Sequence, residues 1–178
     1  FDRSDALNFK RDGAWHPISS NEIVERAENI ALGLYSIGLR KGDRAAVLAA
    51  NSPEWTLSDA GCQFAGVVDV PIYTTLAADS VAYILNDSGA RVFFLQNKET
   101  YDRISHILTD CHSVETLVFY DIDGVEAANA ISLAELESKG RDLDNERPEL
   151  ISEMVTASLP SDVATLIYTS GTTGEPKG

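Results

Sequence analysis

The stretch Tyr168–Gly178 (YTSGTTGEPKG) has the residue types and spacing that point most directly to chemistry. Its three glycines allow the backbone to approach a ligand closely and to turn its N–H groups inward. Its hydroxyl donors are Thr169, Ser170, Thr172 and Thr173. Lys177 adds a compact positive charge. Backbone donors, hydroxyls and one lysine together suit the negatively charged oxygens of a polyphosphate.

Two other interpretations of this loop compete with that one. A Walker P-loop places lysine directly after the last glycine and follows it with a Ser or Thr that binds magnesium. Here two residues separate Gly174 from Lys177, and a glycine follows, so the Walker cradle is not encoded. A glycine-rich surface turn without a ligand is the ordinary explanation of a short GxxG motif. The whole string, placed directly after an apolar strand, favours a ligand-binding loop.

The remaining residues that could bind a metal lack the necessary companions. The segment Asp121–Gly124 begins like a calcium loop, but its glycine comes too early and the later ligands are missing. The pair Cys111-His112 has no second pair to complete a zinc site. His16 and His106 show no partner spacing. The sequence therefore predicts a solvated turn at Asp121–Gly124 and no metal site.

Several aromatic residues have two interpretations, as packing residues or as parts of a site. Trp55, Phe64 and Tyr83 occur at helical spacings and are predicted to be core anchors. Tyr73 follows an apolar strand and is expected either to face a ligand or to pack in the core at the strand end. Tyr168 is predicted to be structural and to support the root of the loop.

The elements that must position the loop alternate between strands and helices. The predicted strands are Ala6–Phe9, Trp15–Ile18, Arg44–Ala50, Val67–Ile72, Val92–Leu95, Val114–Tyr120 and Ala164–Tyr168. The first two flank Asp12-Gly13, a hairpin signal. The alternation predicts an α/β fold with a mainly parallel β-sheet flanked by helices. In such sheets ligands bind at the carboxyl ends of the strands, where the loop begins.

The predicted helices have recognisable start and stop signals. Ser19 with Glu22 forms a capping box, Ser52-Pro53 starts a second helix, and Ser132 with Glu135 caps a short one. The other predicted helices are Asp79–Asn86, Lys98–Leu108 and Pro148–Thr156. Glycines close three helices, at positions 38, 66 and 89. The acidic stretch Asp142–Glu149 is interpreted as a solvated face or a linker.

Composition excludes several classes of protein. The chain has 178 residues, 44% of them hydrophobic and 24% charged, as in an ordinary globular protein. A formal net charge of −14 argues against nucleic acid as a partner, because phosphate backbones are bound by clustered Lys and Arg. No apolar run approaches the roughly 20 residues that cross a bilayer. Two cysteines without a CxxC spacing favour a cytoplasmic location. Because complete domains seldom end directly after a glycine-rich loop, we expect a fragment of a longer protein.

The stretch Tyr168–Gly178 resembles, position by position, the signature of the adenylate-forming superfamily of acyl-CoA synthetases, luciferases and peptide-synthetase adenylation domains. The resemblance extends to Leu32–Val47 and to Gly66–Tyr73, and it covers nearly the whole chain. Asn51–Trp55 and Pro71–Tyr73 are more typical of the long-chain acyl-CoA synthetases than of the other branches. The resemblance implies that residues 1–178 are part of the large N-terminal AMP-binding domain. The rest of that domain and the small C-terminal domain would lie beyond residue 178.

This resemblance also implies an activity, its substrates and its site residues. The activity is activation of a fatty acid by ATP to acyl-AMP, with Mg²⁺, followed by transfer of the acyl group to coenzyme A. The expected ligands of the outer phosphates are Thr169, Ser170, Gly171, Thr172, Thr173 and Gly174, with Lys177 as the catalytic charge. The acidic ligand of magnesium and the C-terminal catalytic lysine are expected beyond residue 178, so the fragment alone is predicted to be inactive.

Alternatives stay open at this point. Within enzymes they are a peptide-synthetase adenylation domain and a short-chain or aryl-acid ligase, and outside enzymes a nucleotide-binding module without catalysis. A long-chain substrate is compatible with peripheral contact at a membrane, although the segment shows no amphipathic anchor. The sequence carries no signal for a particular oligomeric state.

Overall fold

The computed structural model describes residues 2–170 and 176–178. In chain order its elements are β1 (Leu7–Arg11), β2 (Ala14–Ile18), α1 (Ser20–Ser36), β3 (Arg44–Leu48), α2 (Pro53–Ala65), β4 (Val68–Pro71), α3 (Ala78–Ser88), β5 (Val92–Leu95), α4 (Lys98–Ile104), β6 (Thr116–Phe119), β7 (Ala130–Ser132), α5 (Leu133–Glu146), α6 (Leu150–Ala157), β8 (Thr169–Ser170) and β9 (Pro176–Lys177). None of the described helices combines the length and the apolar character needed to cross a bilayer.

The centre of the fold is a parallel sheet in the order β4-β3-β5-β6-β7. Alternate residues of each strand face opposite sides, because side chains along a strand alternate. Val47 and Phe94 pack on one side with α1, α2 and α5, whereas Leu48 and Phe93 pack on the other side with α3 and α4. Both faces of the sheet are therefore buried, which confirms the predicted α/β fold with flanking helices.

The predicted local signals are present in the structure. The side-chain oxygens of Ser19, Ser52 and Ser132 each accept a hydrogen bond from the backbone N–H three residues later, at 3.1, 3.2 and 3.0 Å. These bonds satisfy N–H groups that a helix start would otherwise leave unpaired. Asp12 and Gly13 both have positive φ, 51° and 80°, and they connect β1 to β2 as a hairpin. The three helix starts and the hairpin are confirmed.

Helix α5 is longer than the short helix that the sequence predicts. It continues through Gly140 to Glu146 and includes much of the acidic stretch, whose residues form an exposed face. Gly140 lies within the helix where α5 packs against α1, and a Cβ at this position would overlap the carbonyl oxygen of Asn29. Arg26 and Glu137 join the same two helices by a partly buried ion pair of 2.9 Å.

Three other predictions differ from the structure. Strand β7 is not among the predicted strands, since three residues are too few to show a period. The predicted helix Lys98–Leu108 is α-helical only to Ile104, and a 3-10 helix follows over Ser105–Asp110. The predicted strand Ala164–Tyr168 is wrong as a regular strand. Only Thr165 forms a bridge, a parallel one with Asp69, and Ile167 is 54% exposed.

Candidate functional site

The structure describes the two roots of the loop, which are Thr169 with Ser170 and Pro176 with Lys177. The residues Gly171, Thr172, Thr173 and Gly174, which are predicted to bind phosphates, lie outside the described residues, as does Glu175. Thr169 pairs with Lys177 and Ser170 pairs with Pro176 in an antiparallel register. This pairing places the backbones of two predicted site residues opposite each other at the base of the loop.

Lys177 has the charge and the exposure that an anion site needs. Its side chain is exposed, and among the described residues no hydrogen bond or ion pair occupies its ammonium group. Thr169, directly opposite, is exposed as well. The Lys177 ammonium, which is unpaired among the described residues, and the exposed Thr169 side chain are both available to the oxygens of a phosphate.

Tyr168 anchors the root of the loop, as the sequence predicts. It is 6% exposed, and its hydroxyl donates a 2.6 Å hydrogen bond to Oδ2 of Asp87, near the carboxyl end of α3. It belongs to the same buried apolar cluster as Val81 and Leu85 of that helix. Sequence reasoning missed Asp87, because 81 residues separate it from Tyr168 and no spacing rule joins them.

The segment just before the loop is attached to the sheet by backbone hydrogen bonds. The N–H of Asp69 donates to the carbonyl of Ala164 at 3.1 Å, and the N–H of Leu166 donates to the carbonyl of Asp69 at 2.9 Å. Gln63 of α2 adds a side-chain bond to the same Ala164 carbonyl at 3.2 Å. The loop is therefore held at the edge of the sheet by β4 and α2.

Asp69 is an unusual residue at this anchoring point. Its side chain is 2% exposed, and among the described residues Oδ1 has no hydrogen-bond partner. Burial, followed by the negative charge of Asp59, raises the pKa of the Asp69 carboxyl to about 7. Burial raises the pKa of the neighbouring Cys62 thiol as well. Sequence reasoning missed Asp69, although a carboxylate inside the apolar run Val67–Ile72 was a visible signal.

A cavity of about 580 Å³ opens beside the loop root at the carboxyl ends of β3 and β4. Its lining residues are mostly apolar and comprise Ala49, Ala50, Asn51, Trp55, Pro71, Ile72, Tyr73, Thr74 and Ile167. Its size lies within the range of small-molecule sites. Tyr73 lines this cavity and is 64% exposed. Of its two predicted roles, core packing is therefore excluded.

The other candidate residues have ordinary structural roles. Asp123 donates its N–H to the Asp121 carboxylate at 3.1 Å, and Gly124 has a φ of 71°, which makes the predicted solvated turn. Cys111 is buried, and His16 stacks on Phe9. Within residues 2–170 and 176–178, no group of three or more His, Cys, Asp or Glu side chains could hold a metal ion.

Known proteins resemble the chain over nearly its full length. The long-chain-fatty-acid–CoA ligase ACSBG1 of Rattus norvegicus is 33% identical over 174 residues, which are 97% of this chain and 24% of that protein. The long-chain-fatty-acid–CoA ligase FadD15 of Mycobacterium bovis is 34% identical over an alignment of 179 positions that covers 99% of this chain and 28% of that protein. The chain thus spans about a quarter of the length of the curated relatives it matches.

Structural comparison gives the same result. The crystal structure of the anthranilate CoA ligase AuaEII in complex with anthranoyl-AMP superposes with a TM-score of 0.75 and 26% sequence identity. The superposition covers 90% of this chain and 29% of that one. The family model described as AMP-binding enzyme matches residues 2–178. The chain therefore belongs to the family of AMP-binding enzymes.

Proposed function

We propose that this chain is part of the N-terminal AMP-binding domain of a long-chain fatty acid–CoA ligase. The observation that carries the proposal is the pairing of Thr169 with Lys177, which closes a loop of Gly, Ser and Thr beside an ammonium group that is unpaired among the described residues. The identity to two long-chain-fatty-acid–CoA ligases supports the choice of substrate. A structure similar to this chain contains an acyl adenylate, anthranoyl-AMP, which supports the AMP intermediate.

The loop binds the β- and γ-phosphates of ATP in this proposal. Backbone N–H groups of Gly171 and Gly174 and the hydroxyls of the Ser and Thr residues donate to the phosphate oxygens. The hydroxyl residues are Thr169, Ser170, Thr172 and Thr173. Lys177 offsets negative charge on the outer phosphates as they leave.

The first half-reaction needs positioning more than it needs proton transfer. A fatty acid carboxylate is ionised at pH 7, so no general base has to activate it. One carboxylate oxygen bonds to the α-phosphorus while the bond from that phosphorus to the bridging oxygen breaks, and pyrophosphate leaves with the electron pair. Placing the two reactants and stabilising the departing charge are what the protein contributes.

The second half-reaction passes the acyl group to coenzyme A. The sulfur of coenzyme A bonds to the acyl carbon while the bond from that carbon to the phosphate oxygen breaks. AMP leaves with the electron pair, and the thiol proton passes to solvent. Magnesium is expected to enter with ATP. No group of three or more acidic, His or Cys side chains among the described residues could hold it, and its acidic protein ligand is expected beyond residue 178.

A chain-length screen tests this proposal. The complete protein is given ATP, magnesium and carboxylates of graded length, and exchange of labelled pyrophosphate into ATP is measured. We expect exchange with long-chain fatty acids, and formation of acyl-CoA after coenzyme A is added. Exchange with amino acids or aryl acids alone would favour the other branches of the superfamily. Nucleotide binding without exchange for any acid would favour a non-catalytic module.

A further inference from the structure

The phenol of Tyr168 links the loop to α3. Its hydroxyl donates to Oδ2 of Asp87 at 2.6 Å, the short distance that a hydrogen bond to a carboxylate shows. Asp87 lies in the last turn of α3, where the helix dipole disfavours a negative charge. A carboxylate at this position therefore does not stabilise the helix. The hydrogen bond that it accepts comes from Tyr168, the residue that begins the loop.

The same ring also contacts the other end of the loop. A Cβ added to Gly178 would lie 2.8 Å from Cζ of Tyr168 and 2.9 and 3.1 Å from its two Cε atoms. The chain leaving the loop thus passes directly over the ring, and only glycine leaves room for it. One side chain consequently fixes both roots, through its own backbone at position 168 and through packing at position 178.

The ring of Tyr168 lies in the apolar core. Tyr168 is 6% exposed and belongs to one buried cluster with Val81 and Leu85 of α3 and with Ile72, which follows β4. A tyrosine has two side-chain torsions, so burial together with the bond to Asp87 leaves the ring little freedom. Lys177 lies between Gly178, which rests on this ring, and Pro176, which pairs with Ser170.

We propose that Asp87 and Tyr168 are positioning residues for adenylation, holding both roots of the loop so that Lys177 meets the departing phosphates. The proposal rests on the proposed function of the loop. The proposal predicts different effects on the two half-reactions, because only the formation of acyl-AMP releases pyrophosphate. Transfer of the acyl group from acyl-AMP to coenzyme A does not need the outer phosphates.

The test compares Tyr168→Phe with wild type in the complete protein, using both half-reactions. We expect pyrophosphate exchange to slow about 10- to 100-fold, the effect of one hydrogen bond to a charged group. The KM for the fatty acid and the rate of acyl-CoA formation from supplied acyl-AMP should stay unchanged. Tyr101→Phe is the matched control, since it removes a phenol hydroxyl from α4 and should leave both half-reactions unchanged.

Variants at Asp87 test whether the two residues act through one bond. Asp87→Ala should slow exchange as much as Tyr168→Phe, and Asp87→Asn, which keeps an oxygen acceptor, should recover part of the rate. The double variant Tyr168→Phe with Asp87→Ala should be no slower than either single variant, because coupled residues are not additive. Additive losses would overturn the proposal.

The remaining outcomes are equally decisive. Equal losses in both half-reactions would assign the pair a purely structural role and overturn the proposal. If wild type exchanges pyrophosphate and Tyr168→Phe does so at the same rate, the positioning role is overturned and the proposed function stays intact. If wild type exchanges no pyrophosphate with any acid, the positioning role and the proposed function are both overturned.

Discussion

Asp69 and Thr165 form a parallel bridge that joins the sheet to the segment leading into the loop. The backbone of Asp69 supplies both hydrogen bonds of this bridge, to Ala164 and from Leu166. Its carboxyl group, in contrast, is buried behind the bridge with one oxygen unpaired among the described residues. Asp69 thus anchors the segment through its backbone, while the ionised form of its buried carboxyl group lowers the stability of the folded protein.

The first prediction concerns the pH dependence of stability. Burial, with a further contribution from Asp59, raises the pKa of Asp69 from 3.8 to about 7. Between these values the folded protein holds a proton that the unfolded chain has lost. The free energy of unfolding therefore falls as the pH rises from about 4 to about 7, and the loss is complete above that range. Asp69→Asn should be more stable than wild type at pH 8, with a difference that shrinks towards pH 4.

Thermal midpoints of the complete protein between pH 4 and pH 8 check this prediction. The gain at pH 8 should be a few kcal/mol at most, since each pH unit between the folded and unfolded pKa is worth about 1.4 kcal/mol. Asp142→Asn, an exposed aspartate on α5, serves as the control and should follow the wild-type profile. A gain for Asp69→Asn that is the same at every pH would contradict the raised pKa of the Asp69 carboxyl.

The second prediction concerns the contact between α1 and α5. Alanine normally stabilises a helix relative to glycine, by about 1 kcal/mol. At Gly140 the added Cβ would overlap the carbonyl oxygen of Asn29, so the two helices would have to separate. We expect Gly140→Ala to destabilise the protein by about 2 kcal/mol, a typical cost of overpacking.

Chemical denaturation of the complete protein measures this effect. Asn145→Ala on the exposed part of the same helix is the matched control, and it should be neutral or slightly stabilising. If Gly140→Ala raised the stability as much as Asn145→Ala, the close approach of the helices would be refuted.

Local signals in the sequence predicted much of the fold. Ser19, Ser52 and Ser132 each cap a helix through a bond to a residue three positions away, and such bonds can be read directly from the sequence. The buried strands were equally visible as apolar runs, and Val92–Leu95 has the predicted bounds. These features depend on short stretches of chain.

Features that depend on distant contacts could not be predicted in this way. The sequence predicts only a short helix after Ser132, whereas Gly140 lies inside α5 at a contact with α1, more than 100 residues earlier in the chain. The bond between Asp87 and Tyr168 has no local pattern. The apolar run Ala164–Tyr168 was predicted as a strand from composition, although strand formation also requires neighbours on the sheet, and only Thr165 forms a bridge.

The third prediction concerns the isolated chain. Residues 1–178 carry the loop, but they span about a quarter of the length of the curated relatives. We expect the purified fragment, given ATP, magnesium, a long-chain fatty acid and coenzyme A, to form no acyl-CoA. The complete protein, assayed in parallel, is the positive control. Measurable acyl-CoA from the fragment would refute this expectation.

The central claim is that Lys177 and its loop hold the outer phosphates of ATP while a fatty acid captures AMP. Pyrophosphate exchange by Lys177→Ala in the complete protein tests it most directly, with Lys10→Ala, an exposed lysine on β1, as the control. We predict that Lys177→Ala slows exchange by about 10²-fold or more, while binding of the fatty acid and the Lys10→Ala rate stay close to wild type. Exchange by Lys177→Ala at the wild-type rate would contradict the claim.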